Sequence, residues 1–292
     1  PTLDRMLNEC PVSRIETSGG SVGLPHGVMG NSEVGHMNLG AGRIVRQDLV
    51  RINDSIKSDE LKSNPKLQDI FQHVKNNNHT LHLMGLISDA GVHSHLDHFK
   101  YILQTARDYN VDKIALHAIT DGRDTSPTSG IDFIRQLESY IHDDENFHIK
   151  TVCGRYYAMD RDSRWERIEK AYRMFIYCEG ENHMDSKSAI QASYDKEITD
   201  EFILPAIIGQ PMPIKDGDAV LTMNFRADRM RQIITALNES NFSQFKTESL
   251  DILFTCMTKY QEDFPYPVLF EPKKINNIFP EILSKNNYRQ LR

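Results

Sequence analysis

Cysteine is scarce, and what there is stands scattered: Cys10, Cys153, Cys178 and Cys256 in 292 residues. No CxxC or other close pair occurs, which excludes a zinc knuckle and a disulfide framework and makes a reducing cytoplasm the expected setting. No apolar run is long enough to span a bilayer and no segment reads as a signal peptide, so the Asn-x-Ser/Thr triplets at Asn78 and Asn238 read as chance. Excess positive charge is lacking too. Arg and Lys total 34 against 41 Asp and Glu, a net charge of -7. Nucleic acid and membrane surfaces, which need a broad basic face, are therefore not expected partners, and any anionic ligand must be met by a local cluster of cations. Repeats and low-complexity segments are also absent.

What is present is ordinary for a globular chain with a sizeable core: 39% hydrophobic and 26% charged residues. The length favours one large or two medium domains. The chain opens on Pro1 in what reads as mid-sequence, as a fragment would.

From about residue 79, apolar runs alternate with amphipathic segments. Thr80 to Ile87 (TLHLMGLI), Lys113 to Thr120 (KIALHAIT), His148 to Cys153, Ala219 to Phe225 (AVLTMNF) and Leu250 to Met257 (LDILFTCM) read as buried strands. Between them Phe99, Ile102, Leu103 and Ala106 recur at helical spacing. Ser126 as N-cap, with Pro127 at the first helical position, predicts a helix with Ile131, Ile134, Leu137 and Ile141 on its apolar face. Further helices are predicted over Trp165 to Ile176 and Met230 to Leu237. Glu179 to Lys215, with three prolines, reads as loops around one or two short helices, and Asp263 to Lys274 (DFPYPVLFEPKK) as the exit from the domain. The pattern implies an α/β fold, a mainly parallel sheet flanked by helices. Segments before residue 47 and after about 272 fall outside the alternation and suggest a second body reached by two crossings.

Open parallel sheets bind ligands where the loops leave the carboxyl ends of the strands. The first loop, SDAGVHSH, offers Asp89, His93 and His95. The second, DGRD, offers Arg123 and Asp124. GRYYAMDRDSR supplies Arg155, Asp160, Arg161 and Arg164, and RADRMR supplies Arg226, Asp228, Arg229 and Arg231. A guanidinium forks onto carboxylate or phosphate with two parallel hydrogen bonds, so converging arginines suit a small ligand with two anionic ends, such as a phosphorylated carboxylic acid. The competing reading is a set of surface Arg–Asp pairs, each worth about 0 to 1 kcal/mol. His93-x-His95-x-x-His98 spells either a metal-binding trio or a helix opened by Ser94 and His95, with His98 facing solvent.

Residues Gly30 to Arg43, GNSEVGHMNLGAGR, set Ser32 among glycines. The stretch is not a G-x-S-x-G elbow, because the second glycine comes one place late at Gly35, and no phosphate loop or G-x-G-x-x-G occurs. It reads either as a surface turn or as a nucleophile activated by divalent metal, with ligands drawn from elsewhere.

PHGVMGNSEVGHMNLGAGR, GVHSH, DGRDT, GRYYAMDRDSRW and NFRADR, in this order, closely resemble the cofactor-independent phosphoglycerate mutases, and the likeness runs essentially the length of the chain. That family joins a metal-dependent phosphatase domain, similar to alkaline phosphatase, to an inserted transferase domain. The resemblance implies interconversion of 3-phosphoglycerate and 2-phosphoglycerate in glycolysis and gluconeogenesis, without 2,3-bisphosphoglycerate, in an expected monomer. Ser32 would take the phosphoryl group and lie at one metal. His93, Arg123, Asp124, Arg155, Arg161, Arg226 and Arg229 would hold the phosphoglycerate, with Asp124 also the candidate base. Two Mn2+ or Mg2+ ions are implied, but of the family's metal ligands only Ser32 is present. The expected layout is residues 1–46 as a partial phosphatase domain, 47–271 as the transferase domain and 272–292 as the return. Such a chain should bind phosphoglycerate weakly and turn it over poorly. A metal-dependent phosphomonoesterase or sugar-phosphate mutase of the same superfamily, and a non-catalytic anion-binding module, are the rival readings.

Overall fold

Strands buried along their whole length set the architecture. Leu81–Ile87 (β1) and Ile114–Thr120 (β2) are buried at every position, as strands covered by helices on both faces must be. They belong to an eight-stranded sheet with Phe147–Gly154 (β3), Glu181–His183 (β4), Ala206–Ile208 (β5), Ala219–Thr222 (β6), Leu253–Thr258 (β7) and Val268–Phe270 (β8), in the order β4-β5-β3-β2-β1-β6-β7-β8. Neighbours are parallel except β3 and β5. The computed structural model describes residues 2–30, 32–142 and 144–291.

The helices are α1 (Thr2–Glu9), α2 (Ser32–Ala41), α3 (Asp48–Lys57), α4 (Pro65–Asn77), α5 (Leu96–Asp108), α6 (Gly130–Ile141), α7 (Arg155–Ala158), α8 (Trp165–Tyr177), α9 (Ser186–Tyr194), α10 (Arg231–Asn238) and α11 (Phe279–Lys285). Two compact units result: Pro1–Arg51 with Lys273–Arg292, and Ile52–Pro272, which holds the whole sheet. In the first unit α1 and α11 bury nothing, and Leu3, Met6, Leu7, Phe279 and Ile282 are exposed.

Within the second unit, successive strands run outward from β1 to β2 and β3 on one side and from β6 to β7 and β8 on the other. The winding therefore reverses between β1 and β6, which opens a crevice at their carboxyl ends. The apolar stripe of α5 (Phe99, Ile102, Leu103, Ala106) is buried, as its spacing predicts.

Three local expectations are corrected. Helix α6 starts at Gly130, not at Pro127. Pro127 gives its carbonyl to Asp200 N–H at 2.8 Å, and the Asp200 carboxylate receives Gly130 N–H at 2.7 Å, so a distant carboxylate replaces Ser126 at the helix start. Residues 179–215 are not only loops and helices, since they contain β4 and β5. The exit segment contains β8, an edge strand whose preceding Pro267 accepts from Cys256 N–H. Strands of three residues are too short to show a period, and an edge tolerates neighbouring prolines because nothing there needs their missing N–H.

Candidate active site

The loops leaving β1, β2, β3 and β6 meet at the switch point, and backbone bonds hold them there. His93 O accepts from Phe225 N–H at 2.8 Å, and the buried Asn224 side chain accepts Leu86 N–H at 2.9 Å. β6 is thus tied to β1 beyond the end of its ladder at Thr222. A Cβ on Gly85 would stand 2.8 Å from that Asn224 oxygen, so only glycine fits there.

Asp121, the first residue after β2, organises the floor. Its buried carboxylate accepts from Arg155 Nη1 (2.5 Å), Ser88 Oγ (2.8 Å) and the backbone N–H groups of Arg123 (3.2 Å) and Asp124 (3.0 Å). Burial pushes its pKa up, but the amide donors and Arg155 outweigh burial and leave it below the usual range. The same Arg155 Nη1 reaches Asp124 Oδ2 at 2.6 Å. With its side chain 2% exposed, Arg155 is a fixed cation clamped between two carboxylates, while its Nε is buried without a partner.

His93 joins the two halves of the crevice. Its Nε2 lies 3.8 Å from Asp124 Oδ2, and its Nδ1 lies 3.7 Å from Asp228 Oδ1. Burial, then the nearby Arg155, depress its pKa to about 4, so the ring is neutral at pH 7. Asp228 collects Arg161 Nη1 at 2.7 Å and Arg226 Nε at 3.3 Å. Burial opposes its ionisation, but Arg161 and Arg226 prevail and lower its pKa. Arg123 reaches Glu201 at 3.2 Å.

Arg229 differs from its neighbours. It donates to Met159 O at 3.0 Å and, among the described residues, has no carboxylate within ion-pair reach. Burial, then Arg155 and Arg161, lower its pKa, and the more distant Asp228 offsets only part of this, which marks a guanidinium crowded by like charge. Such a group calls for an external anion.

His93, Arg123, Asp124, Arg155, Arg161, Arg226 and Arg229 thus belong to one connected cluster in the second unit. Ser32 belongs to the other unit, as the first residue of α2. Position 30, two residues earlier, is glycine because a Cβ there would approach Thr17 O to 2.1 Å, whereas Gly35 and Gly40 face open space. His36 Nδ1 lies 3.2 Å from Ser32 Oγ but 2.7 Å from Ser32 O. A carbonyl only accepts, so that nitrogen carries the hydrogen and is not a base for the hydroxyl.

The histidine trio divides. His93 sits in the cluster, and His95 caps α5 by accepting Asp97 N–H. His98 is 1% exposed, with Nε2 2.8 Å from Asn53 Oδ1, so it does not face solvent. Ser94 bonds Leu86 O instead of capping. Among the described residues no three His, Cys, Asp or Glu side chains are arranged to hold a metal ion. The residues present do not by themselves fit the expected metal pair.

Asp121, Asn224, Asp200 and Glu201 escaped the sequence reading. The signal for Asp121 was available, as the first acid after a buried strand in the same DGRD run. Asp200 and Glu201 offered none, since they reach the site only through tertiary contact. A Cβ on Gly122, Gly130 or Gly154 would collide with this pair at 2.2 to 2.8 Å, so the two residues press against the loops after β2 and β3.

The profile of the BPG-independent PGAM N-terminus family matches residues 52–262. The chain belongs to this family. It is 46% identical over 298 residues to the 2,3-bisphosphoglycerate-independent phosphoglycerate mutase of Myxococcus xanthus, covering 100% of this chain and 58% of the relative. The enzyme of that name from Rippkaea orientalis is 46% identical over 293 residues, covering 100% of this chain and 55% of the relative. Among solved structures, Leishmania mexicana phosphoglycerate mutase at low cobalt concentration superposes with a TM-score of 0.83 at 32% identity, covering 93% of this chain and 52% of that one. The chain therefore spans little more than half the length of the mutases it matches. The mostly parallel α/β architecture agrees with that neighbour. No helix among the described residues is long and apolar enough to cross a membrane.

Proposed function

We propose that this chain carries the phosphoglycerate-binding part of a 2,3-bisphosphoglycerate-independent phosphoglycerate mutase, with Ser32 as the phosphoryl carrier. The observation that supports it best is Arg229, a half-buried guanidinium without a carboxylate, among Arg155, Arg161 and Arg123. A phosphoester carboxylate has the two anionic ends such a cluster selects. On this reading Arg161, Arg226 and Arg229 grip the ligand together with Arg123 and neutral His93, while Arg155 holds Asp124 in place from below.

In the first half-reaction the Ser32 Oγ–P bond forms as the P–O bond to glycerate breaks, and the proton leaving the Ser32 hydroxyl ends on the released glycerate oxygen. In the second, the ionised Asp124 carboxylate takes the proton of the other glycerate hydroxyl as that oxygen bonds phosphorus, and the proton ends on Ser32 Oγ as the Oγ–P bond breaks. The arginines keep glycerate bound while it turns. The substrates are 3- and 2-phosphoglycerate, and the protein acts as a cytoplasmic monomer, a setting supported by four unpaired cysteines. Residues about 47–271 form the transferase domain, supported by the compact unit Ile52–Pro272, and 1–46 with 272–292 belong to a phosphatase-like domain. A requirement for Mn2+ or Mg2+ is part of the proposal, but no step is derived through a metal, because the described residues supply no ligand set for one.

The test is conversion of 3- to 2-phosphoglycerate by the longest form of the protein the cell makes, with Mn2+ or Mg2+ supplied and no bisphosphoglycerate. Conversion abolished by Ser32→Ala, with phosphoserine found at Ser32 in the unsubstituted protein, is the expected result. Release of free phosphate without isomerisation would make it a phosphomonoesterase instead.

A further inference from the structure

Strand β3 has an irregular first half. Its register against β2 shifts between Leu116 and His117, where Leu116 pairs Ile149 and His117 pairs Thr151, so Lys150 is the extra residue of a bulge. Bulges are rare between parallel strands, and they re-aim a side chain. On its other edge β3 meets β5 only at Thr151 and Val152, so residues 147–150 have no strand partner there. A cavity of about 580 Å³ occupies this gap, lined by the end of α6, the start of α9, Ile208, Gly209 and Lys150.

Lys150 is 8% exposed, and its ammonium has a single hydrogen bond, to Gln210 O at 3.3 Å. Among the described residues no carboxylate pairs with it. Burial pulls its pKa down, and no acid offsets that. The acids around the cavity are committed elsewhere: Glu138 to Lys187 and Ser186, Asp144 to Arg107, and Asp185 to Ser188 N–H. A half-buried ammonium with two donors unfilled by protein and no counter-charge is a costly arrangement for packing alone.

We propose that this cavity is a second oxyanion site, in which Lys150 binds the phosphate group of a small ligand, separate from the strand-end arginines. The ligand is either free phosphate or a phosphorylated metabolite, since both present the same dianion to Lys150 and the volume holds either.

The experiment titrates inorganic phosphate, and in parallel ribose 5-phosphate, into the 292-residue chain carrying Arg226→Ala and Arg229→Ala, followed by calorimetry. Saturable binding that survives this background and weakens about tenfold or more with Lys150→Met is expected, since a charge-assisted bond is worth roughly 1.5 to 3 kcal/mol. Lys150→Arg, which keeps the charge, should retain binding, and far-UV circular dichroism of both variants separates lost binding from lost folding. A tighter ester assigns the site to a metabolite, and equal affinities assign it to free phosphate. Binding unchanged in a folded Lys150→Met, or no saturable binding in the double-arginine background, overturns the proposal.

Discussion

Removing the Asp121 carboxylate takes away the group that organises the floor of the crevice. In Asp121→Ala, Arg155 keeps only Asp124 as counter-ion, with its side chain 2% exposed, and Ser88 Oγ and the N–H groups of Arg123 and Asp124 lose their acceptor. Breaking a buried ion pair by deleting one partner costs about 3 to 5 kcal/mol. Asp124 offsets part of this, which puts the expected loss near 3 kcal/mol. Asp121→Asn keeps one oxygen, and the Ser88 hydroxyl can turn to accept from the new amide, so its loss should be about half. Urea unfolding followed by Trp165 fluorescence is a suitable assay, because this single tryptophan packs on Phe242 at 5.2 Å within the sheet-bearing unit. The folded pKa of Asp121 lies below its ordinary value, so its contribution is present above about pH 4 and is lost as pH falls through the folded value. The difference between wild type and Asp121→Ala should therefore be flat from pH 8 to pH 5 and shrink below pH 4. A loss under about 1 kcal/mol at pH 7 would refute the floor as described.

Acid should destabilise the sheet-bearing unit from about pH 6.5 downward. His93 and His98 have folded pKa values of about 4 and about 3, so the unfolded chain takes up their protons first as pH falls below about 6.5. Stability is then lost at about 1.4 kcal/mol per pH unit for each, and His98→Gln should flatten the fall between pH 6 and pH 4.5, read by urea midpoints. Gly154→Ala places a Cβ 2.2 Å from Glu201 O and should cost about 1 to 3 kcal/mol in the same assay, with an unchanged slope against urea. Asn64→Ala removes both the cap on Lys66 N–H and the bond to Leu269 O, so it should cost about 1 to 2 kcal/mol and raise amide exchange in β8.

The sequence made the long elements legible because each carries a full period or a continuous apolar run: β1, β2, α5 and α8 stand where their patterns predict. The strand-end arginines were legible for the same reason, since charge following a buried strand has to emerge at the sheet edge. Elements set by distant partners were not. The start of α6 depends on Asp200, which lies 70 residues from Gly130 along the chain. Glu201 meets Arg123 only because the β4–β5 excursion folds back on the loops after β2 and β3. His98 looked like a solvent-facing helical residue until Asn53 and Phe225 closed over it. Local periodicity carries no trace of such pairs.

The central claim is that His93 and the strand-end arginines form a site for a phosphorylated carboxylate. Calorimetric titration of the chain with 3-phosphoglycerate, beside Arg229→Ala, addresses it most directly. Saturable binding with a Kd no weaker than about 1 mM, reduced about tenfold or more in a folded Arg229→Ala variant, is the expected result. Equal binding by the two proteins, or no saturable heat from the unsubstituted chain, would contradict it.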